Sequence, residues 1–233
     1  MPRPENKIIH LLPPAARRQF LDHCEPFELI LSAELSARGE PLAHAHFPNE
    51  GFLSLVVDVD THPPLEVGML GVESMLGSEL ILGTAATPWR ALVQGAGSSW
   101  RISAAALRAQ SDALPALKTL LQASLLVRLH QQTLASACQR YHAIAPRLAR
   151  WLLMSEDRSR TKSFHVTQEF MALMLGVRRV GVTEAASHFQ DSGLIAYHRG
   201  ELTVLDRAAL EAQACSCYVA DKTIYSRLMK ARS

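Results

Sequence analysis

The sequence predicts an α+β chain in three parts. These are an antiparallel roll or barrel of short strands, one long helix, and a two-helix unit that ends in a hairpin. Three observations predict this. Between Phe27 and about Val93, short β-type runs alternate with glycine- and proline-rich turns. From Ser103 the apolar pattern turns helical and stays so. From Thr167 to Leu205, two short helical patterns meet at a glycine and lead into two strand-like runs.

Residues 7–24 read as helical, with Ile8, Ile9, Leu11, Leu12, Phe20 and Leu21 apolar and Pro13-Pro14 interrupting. Strands are expected at Phe27–Leu31, Phe52–Val59 and Leu65–Leu70. Gly39, Pro48-Asn49-Glu50-Gly51 and Thr61-His62-Pro63-Pro64 are expected as the turns between them. Gly71 to Gly83, GVESMLGSELILG, reads as a loop with a short helix.

Leu114-Pro115 opens the long helix, with Pro115 at its first position, where it lacks no needed donor. Leu117, Leu121, Leu125 and Leu129 form an i, i+4 stripe, which Leu114, Leu120, Leu126 and Val127 widen. The helix is expected to reach about Tyr141, some 28 residues or roughly 42 Å at 1.5 Å per residue. So long and apolar a helix needs partners on more than one side. His142–Pro146 reads as a hinge, with Pro146 starting a helix whose apolar side carries Leu148, Trp151 and Leu152. The polar run Ser155–Thr161 is expected to be exposed, and Phe164 and Val166 flank a short strand.

Thr167 is a good N-cap, and Glu169 suits the positive end of the helix dipole. Phe170, Leu173 and Met174 repeat at helical spacing, and Gly176 stops that helix. In the next, Val182, Ala186 and Phe189 are placed to face inward. Arg178, Arg179, Thr183 and Glu184 are left on the outer side, and Gly193-Leu194-Ile195 ends the helix. Leu194–Tyr197 and Leu202–Leu205 then flank His198-Arg199-Gly200-Glu201, a hairpin with Gly200 in its turn. This is the layout of a winged helix-turn-helix, whose second helix enters the DNA major groove. The expected phosphate contacts are Thr167, Gln168, Arg199 and His198. Base edges fall to Arg178, Arg179, Thr183 and Glu184: arginine bonds guanine in bidentate fashion, and glutamate accepts from cytosine N4. Gly181 costs roughly 1 kcal/mol against alanine in mid-helix. It either lets the DNA backbone approach or is merely tolerated.

A last helix through Leu210 and Ala214 leads to Cys215-Ser216-Cys217. A closing amphipathic segment follows, with Ile224, Tyr225, Leu228 and Met229, placed to brace the wing or to lengthen a dimer contact. A C-x-C pair can bind a metal or sense oxidants, but two ligands do not complete a zinc site. Packed thiols, no metal and no cofactor are the expectation.

At 233 residues and 48% apolar content the chain has enough for two domains with packed cores. It has no apolar run of about 18 residues, and the stretch MPRPENKIIHLLPP does not look like a signal peptide. A cytoplasmic protein without a membrane partner is expected. Four scattered cysteines (Cys24, Cys138, Cys215, Cys217) do not make a disulfide framework. Residues 1–145 carry 11 Lys+Arg against 13 Asp+Glu, and residues 146–233 carry 13 against 9. The more basic C-terminal part fits a phosphate-contacting surface. No Ser-His-Asp order, phosphate-cradling glycine loop or dense metal-ligand cluster marks the chain as an enzyme.

Residues 167–195 resemble the DNA-binding domain of the Crp/Fnr transcription regulators, without a gap from Thr167 through Gly176 and Arg179 to Leu194-Ile195. Leu148–Arg158, LARWLLMSEDR, resembles the family's linking helix, and Gly39–Arg101 resembles its N-terminal cyclic-nucleotide-binding-like β-roll. The resemblance implies three regions. Residues 1–110 form an effector-binding-like β-roll, 111–145 a dimerisation helix and hinge, and 146–233 a winged-helix DNA-binding domain with a helical tail. It implies a homodimer on double-stranded DNA, reading an inverted repeat and working with RNA polymerase. The family's three base-reading positions fall on Arg179, Val180 and Glu184, and only the first keeps its residue, so a different operator is implied. The family's phosphate-binding arginine and ribose-binding glutamate fall on Thr87 and Gly77, where neither side chain is present; Arg90 and Glu79 stand nearby. Glu73, Glu79, Thr87 and Arg90 are thus the candidate effector pocket. A small molecule other than cyclic AMP, or no effector at all, is implied. Iron–sulfur sensing needs a cluster of N-terminal cysteines, and only Cys24 is there. Ten scattered histidines leave a haem-based sensor as an alternative; His44 and His46 stand two apart on one strand face and are expected to be surface or satisfied histidines.

Overall fold

The computed structural model describes residues 6–84 and 86–230. Residues 1–5, part of the stretch read above for a leader, and residues 231–233, the end of the C-terminal region, lie outside the described residues. Two short helices open the fold, α1 (Lys7–His10) and α2 (Pro14–Leu21), separated at the two prolines. Asn6 ties them down. Its Oδ1 accepts the Ile8 N–H at 2.9 Å, while its Nδ2 donates to Pro48 O at 2.9 Å and Ser74 O at 2.8 Å.

Five antiparallel strands form the roll: β1 (Glu25–Leu29), β2 (Glu34–Ser36), β3 (His44–Val57), β4 (Leu65–Leu70) and β5 (Arg90–Ser103). Their order is β1-β5-β3-β4, with β2 also on β5. The expected turn Pro48-Asn49-Glu50-Gly51 does not reverse the chain; β3 runs through it. Register shifts between Pro48 and Glu50 and between Glu50 and Phe52 absorb the irregularity as bulges, where proline's missing donor breaks no ladder. Gly51 has φ +79°, and a Cβ there would lie 2.2 Å from Gly95 O.

β3 serves two cores. Leu53 and Leu55 face the roll interior with Phe20, Phe47, Ile102, Leu107, Leu117 and Leu121. Phe52 and Val56, on the opposite face, join Met69 in a second core with Leu148, Leu152, Met171, Phe189 and Leu202. Strand residues alternate between faces, so the near-continuous burial of β3 means that its outer face is covered as well.

The cover is helical. α3 (Ala104–Ala113) and α4 (Pro115–Tyr141) lead to α5 (Ile144–Ser159). α4 has the expected span, but its leucine stripe does not lie on one face. Leu117 and Leu121 are buried in the roll core, whereas Leu129 is 61% exposed. Each i+4 step overshoots a full turn by about 40°, so the stripe winds out of the core. The hinge is shorter than expected: α5 begins at Ile144, and Pro146 sits within its first turn, where its missing N–H costs nothing. The polar run is not exposed throughout, because Ser155, Arg158 and Ser159 are buried. Ser155 Oγ donates to Trp151 O at 2.9 Å, and Arg158 pairs with Glu73 at 2.8 Å. Gly71 makes room for that arginine, since a Cβ there would lie 2.5 Å from the Arg158 side chain.

The rest comprises β6 (Ser163–His165), α6 (Gln168–Leu175), α7 (Arg179–Asp191), β7 (Ile195–His198), β8 (Glu201–Val204), α8 (Arg207–Gln213) and α9 (Cys217–Leu228). The three strands form a sheet of order β6-β8-β7. α9 neither braces the wing nor stands free. It packs along α4, and Met229 beyond it enters the roll core. Among the described residues, no helix is long and apolar enough to cross a membrane.

Candidate nucleic-acid interface

α6 starts as Thr167 dictates: its Oγ1 accepts the Phe170 N–H at 3.1 Å. Gly176 ends the helix in the left-handed conformation at φ +63°, the usual glycine stop. α7 then buries Val182, Ala186 and Phe189 and leaves Arg178, Arg179, Val180 and Glu184 exposed. Val180 is 62% exposed, unusual for valine on a helix with its own core to fill. Arg178 is the N-cap residue and makes no side-chain cap bond. Two guanidinium groups thus stand at the positive end of a helix, where an anion is favoured twice over.

Two predicted contacts are tied to each other. Thr183 Oγ1 donates to Gln168 Oε1 at 2.7 Å, fixing the second helix against the start of the first. Thr183 is accordingly only half-exposed. Gly181 has an internal reason. A Cβ there would lie 2.5 Å from Ile144 Cδ1, so the glycine lets α7 pack against the start of α5. Close approach to a DNA backbone is not needed to explain it.

The wing is a two-residue hairpin. Arg199 and Gly200 have φ +49° and +86°, the pair of positive values that suits the twist of the flanking strands. Gly200 is constrained further, as a Cβ would meet the His165 ring at 2.6 Å. His165 Nδ1 and Glu201 Oε1, 2.9 Å apart, pin the base of the wing. His198 and Arg199 are exposed at its tip. A cleft of about 880 Å³ runs between the 59–65 turn of the roll and α6, lined by Thr167, Phe170 and Arg178 among others.

The four candidate effector residues each engage a different partner. Glu79, in the 3-10 turn Ser78–Leu82, is buried and pairs with Arg128 of α4 at 3.2 Å. Glu73 pairs with Arg158, and Arg90 with Glu34 at 3.0 Å and Asp58 at 3.6 Å. Thr87 is buried and donates to Trp89 O at 3.3 Å. Arg128 was not anticipated; as a charge within an apolar stretch of helix it was the available signal. His46 is a packed histidine, its ring edge-on to Phe27 at 4.8 Å, and burial lowers its pKa to about 4. Cys24 is an idle thiol, which burial pushes up to about 12. The other three cysteines converge with His142 at the foot of α4. Here too a signal was present: Cys138 and His142 stand one helical turn apart, and Cys215-Ser216-Cys217 offers two more ligands.

Residues 146–213 match the family model of the Crp-like helix-turn-helix domain. Many solved structures of Crp/Fnr-type regulators share the fold across most of the chain. FixK2 from Bradyrhizobium japonicum superposes with a TM-score of 0.69 at 13% identity, covering 83% of this chain and 98% of its own. The c-di-GMP responsive global regulator CLP from Xanthomonas campestris gives 0.65 at 16%, covering 82% and 98%. A CRP family transcriptional regulator from Thermus thermophilus gives 0.65 at 19%, covering 82% and 96%. No curated protein matches the sequence. The expected architecture of β-roll, long helix and helix-turn-helix domain is therefore the one observed.

Proposed function

We propose that this chain is a homodimeric, sequence-specific DNA-binding transcription regulator. The observation that carries this is the exposed row Arg178, Arg179, Val180 and Glu184 on the second helix of a Crp-like helix-turn-helix domain. Thr167, Gln168, His198 and Arg199 set the register on phosphates, and Arg178, Arg179, Thr183 and Glu184 meet base edges. Electrophoretic mobility shift against promoter fragments, followed by selection from a random pool, tests this. Arg179→Ala is expected to weaken specific binding by about 1–3 kcal/mol per half-site and to blur one base preference. Uniform weakening across all sequences would instead make Arg179 a phosphate contact, and wild-type protein that shifts no DNA would sink the reading.

The dimer is assigned to the uncovered side of α4, where Thr119, Gln122, Leu126, Leu129 and Thr133 recur at helical spacing and are exposed. Leu126 and Leu129, 50% and 61% exposed, are costly to leave in water. Two copies joined there would read an inverted repeat with half-sites about one helical turn apart. Leu129→Asp is expected to convert a dimer into a monomer in light scattering; a wild-type monomer would refute the assignment. Cytoplasmic location and contact with RNA polymerase belong to the same reading.

Control by a small molecule other than cyclic AMP is the first reading of the roll. One observation favours a regulator without an effector: Arg128 from α4 already pairs with Glu79 through its Oε2. Thermal shift against nucleotides and metabolites separates the two, since a ligand that prefers the folded state raises its melting temperature.

A further inference from the structure

Four side chains from two distant parts of the sequence meet where α4 hands over to α5. Cys138 and His142 come from the last turn of α4 and its C-cap, Cys215 from the connection between α8 and α9, and Cys217 from the first position of α9. Cys138 Sγ lies 3.6 Å from Cys215 Sγ. His142 Nδ1 lies 3.5 Å from Cys138 Sγ and 3.6 Å from Cys217 Sγ. All four ligand atoms lie within 4.8 Å of one another.

We propose that Cys138, His142, Cys215 and Cys217 form a structural zinc site that bolts the winged-helix domain to the end of the long helix. Geometry is the first argument. With Zn–S of about 2.3 Å and Zn–N of about 2.0–2.1 Å, a tetrahedron has S···S edges of about 3.8 Å and S···N edges of about 3.5–3.6 Å. The three spacings quoted above match those edges. A disulfide engages two of these groups and leaves the other two without a role, and so tight a cluster encloses one ion rather than an iron–sulfur core.

Chemistry is the second argument. Three thiolates and one imidazole are soft, nitrogen- and sulfur-rich ligands, which select zinc over magnesium or calcium. Four protein ligands close the shell, as structural sites require, and leave no open position for catalysis. Binding displaces a proton from each of three thiols to solvent, while neutral His142 gives up none, so the bound centre carries one negative charge. Arg147 and Arg150 of α5 lie within electrostatic reach of Cys138 and Cys215 and offset it. Arg150 is itself held by Asp221 of α9 at 2.6 Å.

The surroundings hold the ligands in place without the ion. The Cys215 N–H donates to Pro146 O at 3.3 Å, docking the Cys-x-Cys loop on the first turn of α5. Tyr218 N–H donates to Cys215 O at 3.0 Å as α9 begins. Three of the ligands are buried, and Cys138 and His142 sit one turn apart on one helix face.

The test is metal content and metal titration on the full chain, purified under reducing conditions without chelator. One zinc per chain is expected. Cobalt in its place should give the intense visible bands and thiolate charge-transfer absorption of a tetrahedral sulfur-rich site. Cys138→Ser and Cys217→Ser should each lower zinc affinity by more than the roughly 10–100-fold that loss of an outer-shell partner costs. Cys24→Ser should change nothing. Far-UV circular dichroism of each variant, together with chelation of the wild type, separates loss of the site from loss of the fold. Reduced, metal-stripped wild type that takes up no zinc or cobalt overturns the proposal. So does a Cys138→Ser protein that binds as tightly as wild type, or a Cys138–Cys215 disulfide in protein that binds no metal once reduced.

Discussion

Replacing Arg128 with methionine is expected to cost about 3–5 kcal/mol of stability, because it strands a buried carboxylate. Arg128 and Glu79 are 5% and 7% exposed. The guanidinium donates to Glu79 Oε2 at 3.2 Å and to Met75 O at 2.8 Å, and lies over the Trp89 ring, 5.4 Å from its centre. Burial pulls the Arg128 pKa down, and Glu79 beside it counters that pull. Charge and countercharge are therefore kept by each other. Methionine fills much of the same volume, so the loss measures the orphaned Glu79 rather than a cavity. Adding Glu79→Gln to Arg128→Met removes the charge and should recover most of the loss, since an apolar or neutral replacement of a buried pair is often near neutral. Urea denaturation of the wild type, both single variants and the double variant supplies the cycle. Equal loss in the single Arg128→Met and the double variant would show that the pair contributes packing and not charge compensation. The pair also joins the roll's 3-10 turn to the long helix, so anything that moves that turn must move α4 or break the bond.

The parts legible in sequence were those whose structure is decided locally. Thr167, Gly176 and Gly200 act through caps and backbone angles, and the winged helix follows from them. Strand β4 was readable for the same reason, being short and bounded by turns. What escaped was set by distant partners. Pro48–Gly51 has the composition of a turn, yet β5 holds it in the sheet through bulges. Arg158 looks like a surface residue, and only Glu73, in a loop far back in the chain, explains its burial. Gly181 carries no mark of its neighbour Ile144. The candidate DNA surface was largely legible, because exposed residues are what remains once a helix has buried its apolar face. The Cys/His cluster was half-legible: the Cys215-Ser216-Cys217 pair was in view, and its meeting with Cys138 and His142 was not.

Glu66→Gln is expected to gain stability relative to wild type as pH rises from 4.5 toward 7, because Glu66 alone contributes a loss of stability over that window. Glu66 of β4 faces α5, accepting from Trp151 Nε1 at 3.0 Å and from the Ser54 hydroxyl of β3. Burial pushes its pKa up to about 7 from 4.5; the hydrogen bonds from Ser54 and Trp151, and then Arg158 and Arg150 of α5, pull the other way without prevailing. Between those two values the folded protein holds a proton that the unfolded chain has released, so stability declines as pH climbs through that window. Below about 4.5 both states are protonated, and above about 7 both are ionised, so the dependence is confined between them. At about 1.4 kcal/mol per pH unit the whole effect is roughly 2–3.5 kcal/mol, the lower end allowing for the part of the side chain that solvent reaches. Glutamine keeps an acceptor for Trp151 and a donor for Ser54 but has no charge to desolvate. Urea midpoints at a series of pH values from 4.5 to 8 should therefore show Glu66→Gln near wild type at the acid end and more stable than wild type at the alkaline end. A difference between the two proteins that stays constant across the series would mean that Glu66 is ionised throughout, held by Arg150 and Arg158 more firmly than its burial opposes. Glu66 would then contribute no pH dependence over that window.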